Sequence, residues 1–486
     1  MSSEVAILPI SRKLIGSQST GKLKISTIRE ATVTRFSRFA LVLPTILLAL
    51  AAIAPAQADV TLLDMGTING RQSIGTGVNA AGDAAGFSFV TGTIGEPNGP
   101  PAEPFIAHAV LFSGGVLTNL GALEGFDTCS PLGCESRGVD INDAGWIAGW
   151  NDGDGGPVPL VWLPQAIPGY AAGFNLLPRL APGRGAFANA LNNTGLVVGR
   201  STPDGIGPRA VSWTLESSGP ALADLGTLRA DGQGYGTAYD VNDLGQIVGD
   251  ASGDTFMLKP FLFLPEPACG LPAGMNDLMP NGAEPARALA INASGEVAGE
   301  LDLGVPWIWL PAPAHGLPAG LSMLALPREI LAFFPARISD AGQIVGQAFV
   351  LTNPHTRDYI QKAAMWRAGR WTILDTVLPP HTPWELVYAE GIVHTGKTTR
   401  ITGSGLISGL TDINGITPAS HGYVLSVTCT GDLNDDGDVD EQDLAIQRGH
   451  MGEAVPPGTS GDMNGDGTVD ARDIPLLASQ IGQPCL

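Results

Sequence analysis

One pattern recurs along most of the chain: an apolar residue, then Asn-x-x-Gly, then a short apolar pair and a second Gly. It reads "GTGVNAAGDAAGF" from Gly75, "RGVDINDAGWIAGW" from Arg137, "ANALNNTGLVVGR" from Ala188 and "AYDVNDLGQIVGD" from Ala238. It returns as "ALAINASGEVAGE" from Ala288 and "ARISDAGQIVGQ" from Ala336. The Asn or Ser heads stand at 79, 142, 192, 242, 292 and 339, separated by 63, 50, 50, 50 and 47 residues. Such a period restricts the chain to repeat architectures, in which a unit buries its apolar face against its neighbours.

The content of one unit narrows the choice. An apolar run, an Asn-Asp-x-Gly turn and "QIVG" read as a hairpin, the turn residues serving positive-φ positions. The final glycine fits a bulge or a close strand approach. An aromatic-ended strand follows each core, as in "HAVLF", "PLVWL", "RAVSW", "PFLFL", "PWIWL", "KAAMW" and "HGYVL". A third element, such as "LTNLGAL" from Leu117 or "LADLGTL" from Leu222, precedes most of the following cores. Three or four short strands in about 50 residues match a propeller blade.

Seven aromatic strands require seven cores. The seventh must lie between "KAAMW" and "HGYVL", where "AEGIVHTGKTTRITGSG" places His394 in the Asn slot, 55 residues after Ser339. The last unit lacks its third element, and "VTLLDMGTI" from Val60 is a stray copy of it. The N-terminal strand is therefore expected to complete blade seven, which removes an unpaired edge.

That seventh core contains "GIVHTGKT" (Gly391–Thr398), the spelling of a nucleotide-binding phosphate loop. Phosphate binding by such a loop needs a helix after it, whose N-terminus faces the phosphates. "TTRITGSG" reads instead as a β-rich turn, so no nucleotide is expected. The composition agrees with a turn-rich β protein: 65 Gly, 38 Pro and only 15% charged residues.

Arg35 and Arg38 precede the apolar run "FALVLPTILLALAAIAP", and "AQA" at Ala56–Ala58 ends it. This is the order of a secretory leader, so residues 1–58 are expected to be removed and the rest exported. Cleavage takes away seven basic and two acidic residues from a chain of net charge −21, leaving it more acidic still. An acidic surface opposes nucleic-acid binding and suits divalent cations. All five cysteines follow the leader, where disulfides persist. Cys129 and Cys134 share a loop, Cys429 and Cys485 bracket the C-terminal segment, and Cys269 is left over.

Two acidic twelve-residue loops stand thirty residues apart: "DLNDDGDVDEQD" (Asp432–Asp443) and "DMNGDGTVDARD" (Asp462–Asp473). Each has oxygen side chains at positions 1, 3, 5, 9 and 12 and Gly at position 6, the pattern of a calcium loop. The first offers Asp432, Asn434, Asp436, Asp440 and Asp443, with the Asp438 carbonyl at position 7. The second offers Asp462, Asn464, Asp466, Asp470 and Asp473, with Thr468 at position 7. Two Ca²⁺ ions are expected.

These residues carry two resemblances. The I-N-x-x-G-x-I-V-G cores with their "HAVLF" and "DLG" elements resemble the HAF-type extracellular repeats of bacteria, from Asp59 to about Val427. Asp rather than Glu at position 12, followed by "LAIQRGHMG" or "IPLLASQIG", resembles the duplicated dockerin domain. The latter implies docking onto a cohesin domain of a scaffold or cell surface. Glu441 and Gln442 in one loop and Ala471 and Arg472 in the other depart from the Ser-Thr pair frequent in cellulosomal dockerins.

The expected protein is thus mainly β: a seven-bladed propeller over 59–428, then a small α-helical dockerin-like domain over 429–486 with two EF-hand-type loops. No Ser/His/Asp or Cys/His arrangement can be assembled, and Asp143, Asp243 and Asp340 recur beside the hairpin heads in a turn role. The favoured function is a monomeric, non-catalytic binder of carbohydrate or protein, tethered by its tail. A polysaccharide-degrading enzyme on the same tail and a structural envelope component are the alternatives.

Overall fold

The computed structural model describes residues 59–70, 72–91, 106–125, 134–205, 207–282, 284–353, 358–411, 418–434, 439–482 and 485. The expected leader, Cys129 and the loop positions Asp436 and Asp438 lie outside them. Seven four-stranded antiparallel sheets follow one another as propeller blades. Six use consecutive strands, over 73–121, 136–176, 186–226, 236–277, 286–323 and 330–373. The seventh joins Trp384–Thr395, Thr398–Ile407 and Ala419–Thr428 to the N-terminal strand Asp59–Gly66. That pairing runs from Asp59 opposite Thr428 to Gly66 opposite Gly422, so the ring closes as the stray N-terminal copy implied.

The repeated turn is a three-residue hairpin loop. In blade one Gly82 donates to the Asn79 carbonyl and Asn79 to the Asp83 carbonyl, both at 3.0 Å. Only the glycine takes a positive φ, +89° at Gly82. The Asn does a different task from the one its turn-forming reputation suggests. Its Oδ1 accepts from the Ala81 and Asp83 amides at 3.1 and 2.9 Å, capping its own turn.

Its Nδ2 reaches the neighbouring blade. Asn79 donates to the Asn142 carbonyl (3.1 Å), Asn142 to Asn192 (3.1 Å), Asn192 to Asn242 (2.9 Å), Asn242 to Asn292 (3.0 Å) and Asn292 to Ser339 (3.0 Å). A buried relay thus stitches blades one to six, each bond contributing about 1 kcal/mol net. Gln343 carries it to blade seven, where its Nε2 donates to Thr399 Oγ1 at 3.1 Å.

Every innermost strand also carries a bulge three residues before the Asn position. The second motif glycine lets the partner strand close across it. A Cβ on Gly86 would stand 2.0 Å from the Ile74 carbonyl oxygen, and one on Gly149 equally near that of Arg137. The aromatic third strands fill the space between sheets, with Trp213, Trp307, Trp366 and Tyr423 fully buried.

Blade seven departs from the expected alignment. Gly391 pairs with Thr402 as Gly77 pairs with Ala85, which puts Val393, not His394, in the Asn slot. The hairpin then continues through His394 opposite Thr399 to Thr395 opposite Thr398. Gly396 and Lys397 form its tip between two strands, and no helix follows. The phosphate-loop spelling therefore has neither the backbone nor the helix that phosphates require.

The last strand ends at Thr428 and the C-terminal module begins at once. It holds helix α1, Glu441–Gly449, and helix α2, Ile474–Ala478. Cys429 and Cys485 form a disulfide across its ends. One apolar cluster runs from Tyr423, Leu425 and Val427 of blade seven into Val439 and Leu477 of the module. Lys397 adds a hydrogen bond from its ammonium to the Asp432 carbonyl. Among the described residues no helix is long and apolar enough to cross a membrane.

Candidate functional site

The bulges decide what lines the axis of the ring. A bulged residue is released from the ladder, and its side chain can be aimed where pleated neighbours cannot. Here the seven are Thr76, Val139, Asn189, Tyr239, Leu289, Ala336 and Glu390, one per blade, and all seven wall a single axial cavity of about 370 Å³. Phe334, Tyr388 and Gln347 also stand in its wall. A second cavity of about 220 Å³ lies at the end that carries the Asn turns, lined by the Asn heads with Asp143, Asp243 and Asp340. Arg337 lines both.

The residue after the bulge supplies charge: Asp140 in blade two and Asp240 in blade four line the second cavity, and Arg337 in blade six lines both. Burial pushes the Asp140 carboxyl up to about 6, with Asp240 adding to the rise and Arg337 opposing it. Burial likewise raises Asp240 and Glu390, each against the pull of Arg337. For Arg337 burial works against the charge, yet Asp240, Asp140 and Glu390 together hold it above the usual guanidinium value. Backbone amides fix the two aspartates. Leu191 donates to Asp140 at 3.1 Å, and Ile291 and Val241 donate to Asp240 at 2.9 Å. The Arg337 guanidinium donates to the Ala336 carbonyl at 3.3 Å. Among the described residues no carboxylate comes within ion-pair distance of it, so its coupling to the three acids acts without direct contact.

Charge and aromatic groups continue at the level of the cavity wall. Phe334 pairs across strands with Gln347, and the equivalent pairs in other blades are Arg137 with Trp150, Phe187 with Arg200, and Arg287 with Glu300. Arg137 lies over the Phe87 ring at 4.3 Å and Arg200 over Phe187 at 4.5 Å. Arg287 sits 3.5 Å from Asp250 and 3.6 Å from Glu300. Burial raises Glu300 to about 6, and its Oε2 has no hydrogen-bond partner. From Phe334 an aromatic strip runs outward, to Phe349 at 5.3 Å and on to Tyr359, stacked at 4.9 Å.

Neither the bulged residues nor the charged residues after them were singled out in the sequence, although a signal was there. They stand three and two positions before the Asn slot of the motif, a fixed offset in the repeat. Asp143, Asp243 and Asp340, which the sequence assigned to turns, reach across blades. Each accepts from the backbone amide of the residue after the preceding Asn head: Ala80, Asn193 and Ala293, at 3.0, 2.8 and 2.8 Å.

In the C-terminal loops, positions 1 and 12 point inward: Asp432, Asp443, Asp462 and Asp473 are all buried. Asp443 accepts from the Leu433 and Asp440 amides at 2.6 and 2.8 Å, while Asp440 caps α1 through the Gln442 amide at 2.6 Å. Asp473 repeats this with Asn464 (3.0 Å) and Asp470 (2.8 Å). Asp462 gathers the amides of Gly465, Asp466, Gly467 and Gly458, which outweigh its burial and hold its carboxyl below the usual range. Asn464 and Asp466 accept from Asp466 and Thr468 amides at 2.8 and 3.1 Å.

Arg472 lies across this second loop, 2.9 Å from Asp466 and 2.6 Å from Asp470. Among the described residues no three acidic, His or Cys side chains are grouped closely enough to hold a metal ion. The donor set itself is that of a hard cation: oxygen ligands only, with a left-handed glycine, Gly467, at the sharp turn. The equivalent of Arg472 in the first loop is Gln442, which brings no competing charge.

The family model of the dockerin type I domain matches residues 430–482. Such domains typically bind calcium and dock onto cohesins. No curated protein matches the chain significantly. Among solved structures, YCF48 from Cyanidioschyzon merolae is 8% identical, with 76% of this chain and 98% of that one covered and a TM-score of 0.40. The β-propeller domain of the trilobed protease from Pyrococcus furiosus is 9% identical, covering 64% of this chain and 100% of that one, at a TM-score of 0.34. Likenesses at this level fix neither ligand nor reaction.

Proposed function

We propose that the chain is an exported, non-catalytic binding module: a HAF-type propeller over 59–428 that takes a carbohydrate in its axial cavity. The dockerin-like segment over 429–486 tethers it to a cohesin-bearing scaffold or cell surface. The observation that carries the binding half is the axial cavity, to which each of the seven blades contributes one bulged side chain. Aromatic walls with a few convergent polar groups are what sugar recognition needs. In the tail, Asp432, Asn434, Asp436, Asp440 and Asp443, with the Asp438 carbonyl, hold one Ca²⁺. Asp462, Asn464, Asp466, Asp470 and Asp473, with Thr468, hold the other once Arg472 has swung away.

A second reading, cleavage of a polysaccharide, draws on Asp140, whose raised carboxyl could hold a proton near neutral pH. Screening the protein without its leader against plant and bacterial polysaccharides, with product analysis, separates binding from cleavage. Calorimetry with Ca²⁺ on the same protein should return two sites. Asp432→Ala or Asp443→Ala should remove one, and Asp462→Ala or Asp473→Ala the other. Zero bound calcium would sink the tethering half, and no polysaccharide bound would sink the other.

A further inference from the structure

We infer that the rim of the ring opposite the tail, across blades one to three, binds a polysaccharide bearing carboxylates, a uronate chain seated on Arg137 and Arg200. This deepens the carbohydrate reading above and rests on it. The first ground is where the repeat varies. In blades one to six the residues three and seven places after the Asn or Ser head are glycine in every copy. The residue eight places after the head is never the same twice: Phe87, Trp150, Arg200, Asp250, Glu300 and Gln347. The bulged residue three places before the head also differs in all six. Blades that stack alike need like residues where they pack. Positions that differ in every copy are free to follow a ligand instead.

The second ground is where those positions lie. The residue five places before the head pairs across strands with the one eight places after it, Arg137 with Trp150 and Phe187 with Arg200. Both stand at the end of their strands away from the Asn turns. The tail leaves from the turn end, since Thr428 pairs with Thr398 beside the hairpin tip. The variable positions therefore ring the end that the tail leaves clear. In blade six the same pair, Phe334 with Gln347, lines the axial cavity, so rim and cavity are continuous.

On blades one to three the rim sets aromatic and cationic groups in one unbroken row. The Arg137 guanidinium lies 4.3 Å from the Phe87 ring centre and 5.4 Å from that of Trp150. Trp150 meets Phe187 edge-on at 5.6 Å, and Arg200 lies over Phe187 at 4.5 Å. A guanidinium laid over a ring keeps its N–H edge for a two-pronged grip on a carboxylate. Arg137 gives only its Nε to Glu135, at 2.6 Å, and its side chain is 34% exposed. Arg200 is half-buried and makes no hydrogen bond or ion pair among the described residues. Arg287 in blade five is the contrast, already shared between Asp250 at 3.5 Å and Glu300 at 3.6 Å. In a chain of net charge −21, a row of uncommitted guanidinium edges calls for an anion. A uronate ring fixes a planar carboxylate beside a rigid apolar face, and its chain repeats both, as the row does. An Asp- or Glu-rich peptide brings carboxylates on loose stems and no rigid face for Trp150.

The test is calorimetry on the calcium-loaded protein without its leader, using four probes. These are a galacturonate tetramer, its methyl ester, cellotetraose and tetraglutamate. The galacturonate tetramer should bind about tenfold more tightly than either neutral sugar, as one charge-assisted hydrogen bond gained would give. That margin should shrink as salt rises. Arg200→Gln and, independently, Arg137→Gln should each remove most of it. Arg200→Lys keeps the charge without the fork and should restore only part. Arg287→Gln, at an arginine already taken by acids, should leave the margin intact. A galacturonate affinity no greater than that of the ester or cellotetraose would overturn the uronate inference and leave the carbohydrate reading standing. Tetraglutamate as the sole or tightest ligand would overturn both and make the rim a peptide site, and so would no binding by any probe.

Discussion

The propeller and the C-terminal module treat their carboxylates in opposite ways. On the propeller axis Asp140, Asp240 and Glu390 are pushed up by burial, which Arg337, and for the two aspartates a few backbone amides, offset only in part. In the tail Asp462 is held down by four backbone amides, and Asp470 by its hydrogen bonds to Arg472. The difference follows from what each part is made of. Blades are held by neutral bonds, a repeated amide relay and apolar packing between sheets, so charge on their axis adds a cost to the fold and no support. The tail has little core of its own, and its carboxylates, with one disulfide, are its structure.

The most severe way to break this comparison is to open the ring. Deleting 59–67 leaves blade seven with three strands and an exposed edge. The propeller's melting temperature should fall by roughly 10 °C or more, since several kcal/mol are lost. An unchanged value would show that the neutral framework does not depend on closure. Next is Cys429→Ser, which opens a loop of 56 residues. The chain-entropy account puts the cost at about 4 kcal/mol, and calorimetry should show it in the tail transition while the propeller transition holds.

Asn192→Ala tests the neutral relay directly. It removes a turn cap and a buried inter-blade bond together, so a loss of about 2–3 kcal/mol is expected in urea unfolding. Asn193→Ala, whose contacts are solvent-exposed, should cost under about 1 kcal/mol. Similar losses for both would deny the buried relay its role.

Titration sharpens the contrast further. A carboxyl raised in the fold contributes stability below its unfolded pKa, and that stability is lost as pH rises through the folded value, here about 6 for Asp140. Asp140→Asn should therefore gain on the parent protein by about 2 kcal/mol between pH 4 and pH 7, after allowing for solvent in the channel. Asp462 has the opposite sign. Its lowered carboxyl stabilises the calcium-free tail above the unfolded pKa, and acidification through the folded value removes that stability. The smallest effect concerns the tail alone. Arg472→Gln should tighten calcium binding at the second loop by a few-fold, since an exposed competing ion pair is removed, and leave the first loop as it was.

Blade number and ring closure were legible because a period and a stray third element survive any local distortion. The clasp between cysteines 429 and 485 was legible from its bracketing position. The axial cavity was not. A bulge shifts register by one residue without changing composition, so Glu390 and Arg337 look like ordinary strand positions until the pairing is known. The same slip hid Val393 behind His394. Lys397 shows a related limit: a motif spelling fixes residue types, while the strand on either side of Gly396 fixes what they do. The second role of the Asn heads was missed because their side chains cross to units 47 to 63 residues away, and a unit read alone has no neighbour.

Thr428, the last residue of the final strand, is paired on both flanks, to Asp59 on one side and Thr398 on the other. The tail leaves from the very next residue. A pull applied at the tail thus enters the middle strand of a zipped trio and runs along its length. Both ladders are then loaded in shear, with many bonds sharing the strain, where an outer strand would peel one bond at a time. The seam that completes the ring is also its mechanical anchor, so a module hung from its tail in flowing liquid would be gripped through a strand paired on both sides.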